Sequence, residues 1–472
     1  MFRFAAALAA TTLVAGSAAQ AQTGAQQPGE AGFRALYKEL VETNTTFSAG
    51  SCTLAAERMA ARLKAAGFAD SDITLFTPPD RPKDGGLVAV LPGKDAKAKP
   101  ILLLAHIDVV EAKREDWTRD PFTLVEEDGY FYGRGSSDDK AQAAIWTDLL
   151  IRFKQEGYKP RRGIKIALTC GEEGGGQVNG AAWLAENRRE LIDAAFALNE
   201  GAGGALDAPG GKPVVHNIQA GEKSSVSFRL EATNPGGHSS RPVPDNAIYQ
   251  LAKAIDRIAG YQFPVQMNDT TRAYFGKMAS VVGGETGAAM TAIVANPADA
   301  GANAILSRDA NYNAILRTTC VATQISGGHA QNALPQRANA TINCRIFPGE
   351  PPAAVRDALV KAVGDAKVEV SQAPKGRGEK TAPPLTAQVV GPIEKVSAQM
   401  WPGIPVVPLM QAGGTDAGPL IAVGIPTYGV SGIFYDPDLG RLHGLNERIG
   451  VKSLLDAREF SYRLVKLYAE AK

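Results

Sequence analysis

Two hydrophobic patterns alternate along the chain from residue 32 to about residue 217. Short apolar runs, such as ILLLAHID at 101–108 and GIKIALTC at 163–170, are typical of strands that are buried on both faces. Longer segments with apolar residues at helical spacing lie between them, for example AAERMAARLKAAGF at 55–68 and DDKAQAAIWTDLLIRFKQEG at 138–157. This alternation predicts an α/β fold in which helices flank a mostly parallel sheet.

The pattern changes after residue 217. The segment SSVSFRLEATN at 224–234 alternates apolar and polar side chains, as a strand with one exposed face does. A helical segment, a hairpin around Asn332, a second helix and a last strand follow, in the β-α-β-β-α-β order of ferredoxin-like folds. We therefore predict a smaller α+β unit inserted into the larger one. The pattern assigns no structure to an insertion at 261–315.

These patterns divide the chain into four parts. We predict a signal peptide at 1–21, a first catalytic part at 22–217, an inserted domain at 218–383 and a second catalytic part at 384–472.

The first part has the features of an export signal. Arg3 precedes an Ala- and Leu-rich segment, and AQA at 19–21 has the small residues of a cleavage site, so we expect cleavage after Ala21. A membrane anchor is the alternative, but the apolar segment is short and rich in alanine. We expect a secreted or periplasmic protein that makes no membrane contact after cleavage.

Charge and cysteine content limit the classes of partner and site. The 50 Lys and Arg residues balance 49 Asp and Glu residues, which argues against nucleic acid as a partner. Cys320 and Cys344 each lie twelve residues from Asn332, as facing positions of a hairpin do. A cross-strand disulfide and two free buried thiols both remain open. The cysteine spacing does not indicate a metal site.

Histidines and acidic residues follow several predicted strands. They are His106 and Asp108, the pair Asp138 and Asp139 preceded by Ser137 as a helix cap, the pair Glu172 and Glu173, then Glu200, and His443 in a late polar loop. Open α/β sheets bind ligands at the carboxyl ends of their strands. A buried histidine whose hydrogen bonds are satisfied by an aspartate would explain His106 taken alone. Because histidines and acids follow several predicted strands, the set favours a metal site. Imidazole and carboxylate ligands suit zinc, and a bridging carboxylate suits two ions.

The motifs HID, GRGSSDDK, GEEGGG, NEG, GGHSS, GGTDA and HGLNE occur in this order. As a set they resemble the dinuclear zinc metallopeptidases of carboxypeptidase S, carboxypeptidase G, carnosinase, aminoacylase and succinyl-diaminopimelate desuccinylase, in peptidase clan MH. The resemblance covers nearly all of the mature chain. It implies a zinc-exopeptidase-like catalytic domain and an inserted ferredoxin-like domain that acts as lid and dimerisation surface.

The resemblance also implies a role for each residue of the metal site. His106, Asp138 and Glu200 would bind one ion, and Asp138 would bridge to a second ion held by Glu173 and His443. Asp139 is the alternative bridging residue. Asp108 would orient His106, and Glu172 would be the general base.

In the inserted domain, the resemblance implies a homodimer in which His238 reaches the partner subunit's active site. Asn332 and Arg345 match positions that bind the backbone or terminal carboxylate of the substrate, a task suited to a planar guanidinium. Thr415 and Asp416 either support the metal ligands or form a tight turn. Gly444 and Leu445 depart from the Pro and Asn that commonly follow the last histidine.

We therefore expect an exported dinuclear enzyme that hydrolyses an amide near a free carboxylate. Carboxypeptidase or dipeptidase activity is the leading hypothesis, with a small peptide as substrate. Deacylation of N-acyl amino acids is the alternative, and a non-catalytic binding protein is a third. Zinc is the expected metal, and cobalt or manganese also fit the ligands. A serine hydrolase is disfavoured because GVSG lacks the full G-x-S-x-G motif.

Overall fold

A computed structural model describes residues 27–174, 176–373 and 381–471, so the predicted signal peptide lies outside the described residues. The helices are α1 Glu30–Glu42, α2 Cys52–Ala65, α3 Lys140–Gln155, α4 Gly180–Asn187, α5 Arg189–Ile192, α6 Ala247–Ala259, α7 Asp269–Val282, α8 Gly284–Ala295, α9 Ala300–Leu306, α10 Ala310–Leu316, α11 Pro352–Val363, α12 Ala387–Met400, α13 Ala417–Ala422 and α14 Val451–Glu470. Among the described residues, no helix has the length and apolar character needed to cross a membrane.

The strands are β1 Ile73–Phe76, β2 Gly86–Leu91, β3 Ile101–His106, β4 Val125–Glu127, β5 Tyr130–Tyr132, β6 Ile164–Thr169, β7 Ala197–Asn199, β8 Gly203–Leu206, β9 Pro213–Glu222, β10 Ser224–Thr233, β11 Gly237–His238, β12 Thr319–Gly327, β13 Ala333–Leu334, β14 Arg337–Ile346, β15 Val368–Gln372, β16 Val406–Gln411, β17 Thr427–Gly429, β18 Phe434–Tyr435 and β19 Arg448–Gly450.

The large sheet has the strand order β1-β2-β6-β3-β7-β17-β9-β8-β18, and β16 pairs with β9. Its centre is parallel, because β3 lies between β6 and β7 and runs parallel to both. Every residue of β3 is buried, as its continuous apolar run predicts. Antiparallel pairs join β2 to β6 and β9 to β17. The predicted α/β class with a largely parallel sheet is confirmed.

Helix α3 packs against this sheet and fixes its position. Most of α3 is buried, and the Trp146 indole Nε1 donates to the backbone oxygen of Leu104 on β3 at 3.2 Å. The Arg458 guanidinium binds the Asp148 carboxylate at 2.7 Å, which joins α14 to α3. Burial of each large apolar side chain in this layer contributes roughly 1.5–3 kcal/mol. The strand ends are therefore held by a tightly packed core.

The small sheet is antiparallel and has the order β12-β14-β10-β15. In β14, Ala338, Ala340, Ile342, Cys344 and Ile346 are buried and alternate with more exposed residues, so one face of the sheet packs on α6 and α11. This is the predicted ferredoxin-like order. Strand β9 runs through the predicted boundary at residue 217, and the boundaries of the inserted domain stay a prediction.

The insertion at 261–315 contains the helices α7 to α10. Phe275, Met290 and Leu306 form a small apolar core together with Met410 of β16. The Lys277 ammonium donates to the backbone oxygen of Val406 on β16 at 2.8 Å. The insertion thus covers the outer side of a large-sheet strand.

Two disulfides join the four cysteines. Cys320 and Cys344 face each other in the pairing of β12 with β14 and are bonded, so the disulfide hypothesis rather than the free-thiol alternative is borne out in the structure. The second disulfide, Cys52–Cys170, was not predicted. In the chain-entropy model, closing loops of 118 and 24 residues contributes about 5 and about 3 kcal/mol respectively.

Candidate metal centre

Three neighbouring parallel strands end at one edge of the large sheet. His106 is the last residue of β3, Glu172 and Glu173 follow β6, and Glu200 follows β7 directly. Because the carboxyl ends of parallel strands meet at the same edge, these side chains converge although they are far apart in sequence.

The first group of ligand atoms surrounds one ring nitrogen. The Nε2 atom of His106 lies 3.2 Å from Oδ1 of Asp138 and 3.5 Å from Oε2 of Glu200. These ligand atoms all lie within 4.8 Å of one another. The group therefore has the ligand types and the spacing that one metal ion needs.

The second group uses the other oxygen of the same aspartate. The Nε2 atom of His443 lies 3.1 Å from Oδ2 of Asp138 and 3.0 Å from Oε2 of Glu173. Asp138 thus contributes one oxygen to each group, whereas Asp139 belongs to neither group within the described part of the chain. A carboxylate shared in this way suits two metal ions about 3.5–4 Å apart.

Asp108 contacts both His106 and the loop at residues 171–179, called the acidic loop below. The Nδ1 atom of His106 lies 3.1 Å from the backbone oxygen of Asp108, which leaves Nε2 free for a metal. The two carboxylate oxygens of Asp108 accept the backbone N–H groups of Glu172 at 3.3 Å and Glu173 at 3.1 Å. Asp108 therefore contacts both the last residue of β3, through its backbone oxygen, and the loop after β6, through its buried carboxylate.

Glu447 holds the loop that carries Asp138. Its fully buried carboxylate accepts backbone N–H groups from Gly135 at 2.9 Å, Ser137 at 2.8 Å and Asp138 at 3.0 Å, and the Arg134 guanidinium at 2.8 Å. Glu447 follows His443 by four residues, so this one side chain couples the positions of two ligands that are distant in sequence.

The predicted capping role of Ser137 is wrong. Helix α3 begins at Lys140, its N-cap residue is Asp139, and neither the Asp139 nor the Ser137 side chain caps it. The reason is that the backbone of Ser137 is bound by Glu447, which sets the course of the loop before the helix begins.

The site concentrates negative charge in a buried space. Burial and the nearby carboxylate of Glu200 raise the pKa of Glu172 to about 9, and burial raises the pKa of Glu200 to about 7. For Asp138, hydrogen bonds from His106 and His443 outweigh burial and lower the pKa. The Oε1 atom of Glu200 is buried and has no hydrogen-bond partner among the described residues. Buried, like-charged acids and an unpartnered oxygen fit a site built for divalent cations.

Thr415 and Asp416 lie beside the metal ligands. Asp416 accepts the Thr169 hydroxyl at 3.0 Å and the Asn179 amide at 2.6 Å, and Thr415 donates its backbone N–H to Glu222 at 2.8 Å. The sequence pattern left a supporting role and a tight turn equally open for this pair. It indicated no role for Glu447, although the HGLNE motif contains that residue.

Arg345 lies on the small sheet, whereas His238 lies on β11, which pairs with β13, and Asn332 directly precedes β13. His238 on β11 accepts the Ser240 hydroxyl at 2.8 Å, and the backbone oxygen of Asn332 accepts the Ser239 N–H at 3.0 Å. Arg345 on β14 faces away from the small-sheet core. Among the described residues, no hydrogen bond or ion pair connects His238, Asn332 or Arg345 to the two groups of ligand atoms. His216, for which no role was predicted, is a core residue bound to Ser397 at 2.7 Å.

A buried imidazole and carboxylate cluster at the strand ends of an α/β sheet defines a metal-dependent hydrolase. The model of Peptidase family M20/M25/M40 matches residues 102–467. The chain belongs to this family, which confirms the resemblance drawn from the motifs.

Named relatives span most of the chain. Probable carboxypeptidase S-like 2 of Dictyostelium discoideum is 28% identical, covering 79% of this chain and 72% of that protein. N-fatty-acyl-amino acid synthase/hydrolase PM20D1 of Xenopus tropicalis is 30% identical, covering 79% and 73%. The fold is similar to the crystal structure of the M20 family metallo-carboxypeptidase Sso-CP2 from Sulfolobus solfataricus, with a TM-score of 0.67, 19% identity and coverage of 93% and 99%.

The contacts of Glu447 predict that Glu447→Gln weakens metal binding by roughly 10- to 100-fold, because an amide nitrogen cannot accept the backbone N–H groups beside Asp138. Competition with a chelator measures the affinity. Asp148→Asn is the matched control, since it disrupts a buried ion pair with Arg458 in the α3–α14 packing. Unchanged metal affinity in Glu447→Gln, or an equal loss in Asp148→Asn, would contradict this role.

Proposed function

We propose that the protein is an exported, dinuclear zinc-dependent exopeptidase, a carboxypeptidase or dipeptidase, that hydrolyses a peptide amide near a free carboxylate. The observation that carries this proposal is the sharing of the Asp138 oxygens between the His106 and His443 groups, beside the half-buried Glu172. The export part rests on the sequence of residues 1–21.

His106, Asp138 and Glu200 would hold one ion, and Asp138, Glu173 and His443 the other. Bound zinc would act as a Lewis acid that polarises the substrate carbonyl and makes water acidic at neutral pH. The chain's own contribution is to keep Nε2 of His106 free and to hold the acidic loop through Asp108. Cobalt or manganese would suit the same ligands.

Glu172 is the proposed general base. It adjoins Glu173 in the same acidic cluster, where burial and the carboxylate of Glu200 raise its pKa; two bound cations would lower that pKa again and leave the carboxylate ready to accept a proton. Glu172 takes a proton from the attacking water and passes it to the leaving amine. Its backbone N–H donates to the Asp108 carboxylate. This hydrogen bond fixes the position of the backbone from which the Glu172 side chain extends.

The proposed substrate contacts come from the small sheet of a homodimer. Arg345 and Asn332 bind the substrate's carboxylate or backbone, and His238 reaches the partner subunit's site to hydrogen-bond the developing oxyanion. Support for a dimer comes from the edge strand β12, where Val321 is 60% and Ile325 67% exposed. An exposed apolar edge strand suits pairing with a second copy.

Hydrolysis of N-acyl amino acids is the second candidate. The PM20D1 relative is named for that substrate class. In addition, Leu445 lies two residues beyond His443 and is 53% exposed, and the exposed Phe47 ring lies beside Gly176 of the acidic loop. Such apolar side chains near the ligands suit an acyl chain.

The deciding experiment is a substrate panel of dipeptides, longer peptides, their C-terminal amides, and short- and long-chain N-acyl amino acids. We expect cleavage of peptides with a free carboxylate, loss of activity with a chelator, and recovery with zinc. The C-terminal amides lack the free carboxylate and are the control for its recognition. We expect them to be cleaved only weakly. Cleavage of N-acyl amino acids alone would support the second candidate, and chelator-resistant hydrolysis would contradict both.

The dimeric role of His238 predicts complementation between two inactive variants. Glu172→Gln and His238→Ala homodimers are each expected to be nearly inactive, whereas a 1:1 co-expressed mixture should recover about one quarter of wild-type activity, because half of the dimers hold one intact site. His329→Ala, which changes another exposed histidine of the small unit, is the control and should retain activity. A mixture without recovered activity would contradict action across the interface.

A further inference from the structure

The disulfide Cys52–Cys170 lies beside the acidic loop of the metal site. Cys170 follows β6 and precedes Glu172 by two residues, and neither cysteine is exposed to solvent. Both sulfur atoms and a carboxylate oxygen of Asp108 lie within 4.8 Å of one another. The disulfide therefore lies next to the acid whose carboxylate accepts the backbone N–H groups of Glu172 and Glu173.

The acidic loop, residues 171–179, contains no helix or strand among its described residues. It is held by separate contacts: the Glu173 N–H donates to Asp108 at 3.1 Å, and the Val178 N–H to Asp84 at 3.0 Å. Gly171 has a φ of +80°, and an added Cβ would lie 2.4 Å from the backbone oxygen of Val178. The two ends of the loop therefore lie together, so the position of Cys170 constrains both of them.

Cys52 anchors Cys170, the residue directly before the acidic loop, to helix α2. It is the first residue of α2, whose cap Ser51 accepts the Leu54 N–H at 3.2 Å. Met59 and Leu63 bury α2 in the main core. The amide of Gln177 donates to the Cys170 sulfur at 3.3 Å, which links the far end of the loop to the same disulfide.

We propose that Cys52–Cys170 is a positioning element of the metal centre, which holds Asp108 and the acidic loop so that Glu173 and Glu172 reach their working positions. Without the bond, the close-packed space beneath Asp108 must rearrange. A shift of about 1 Å in a supporting group is enough to lower turnover by roughly 100-fold. The claim about turnover rests on the proposed function, whereas the claim about metal affinity does not.

The test compares two double variants that each remove one disulfide. Cys52→Ala/Cys170→Ala should weaken metal affinity by roughly 10-fold or more. It should also lower kcat, with a smaller change in KM. Cys320→Ala/Cys344→Ala, the matched control on the small sheet, should lower the Tm and leave metal affinity unchanged. Wild-type metal affinity in the first variant, or an equal loss in both, would overturn the proposal.

A second variant covers the case in which the first does not fold. Cys52→Val/Cys170→Ala refills the space of the sulfurs without a covalent link, and hydrogen exchange on the full-length protein then reports the peptide that contains Glu172 and Glu173. We expect faster exchange there than in the control variant, because the N–H bonds to Asp108 loosen; equal exchange would overturn the proposal. If the wild-type protein binds metal but cleaves no amide, the proposed function fails, and metal affinity and exchange still decide the role of the disulfide.

Discussion

The sharing of one carboxylate between two histidine-containing groups is the constraint around which the catalytic part is organised. Asp138 must direct Oδ1 toward His106 and Oδ2 toward His443, although the three residues come from separate parts of the chain. The carboxylates of Glu200 and Glu173 lie beside the two oxygens of Asp138, and burial increases the repulsion between like charges. Such a cluster persists only when the surrounding backbone is held and cations balance the charge.

The fold supplies this support through buried acids that are not ligands. Asp108 binds the acidic loop, Glu447 binds the loop of Asp138, and Asp416 joins Thr169 of β6 to Asn179 at the start of α4. Each of them accepts hydrogen bonds at fixed positions, so the ligand loops need little regular structure of their own. The sheet contributes the rest, because β6, β3 and β7 end at one edge.

The sequence predicted the parts that leave a local signal. The buried strand ILLLAHID, the ferredoxin-like order of the small unit and the residues that converge at the sheet edge were all recognisable from periodicity or motifs. The partner of Cys170 and the contacts of Glu447 were not, because they join residues 118 and about 310 positions apart and have no periodic pattern. The helices at 269–316 escaped prediction: α9 and α10 have only seven residues each, and the four helices bury their apolar residues against one another and against Met410.

The bridging role of Asp138 is tested most directly by metal content, measured by mass spectrometry on the purified protein and on variants of two neighbouring residues. The account predicts about two metal equivalents in the wild-type protein and in Asp139→Asn, and a loss of metal from both positions in Asp138→Asn. Two equivalents retained in Asp138→Asn, or a loss confined to Asp139→Asn, would contradict the shared carboxylate and with it the dinuclear centre described above.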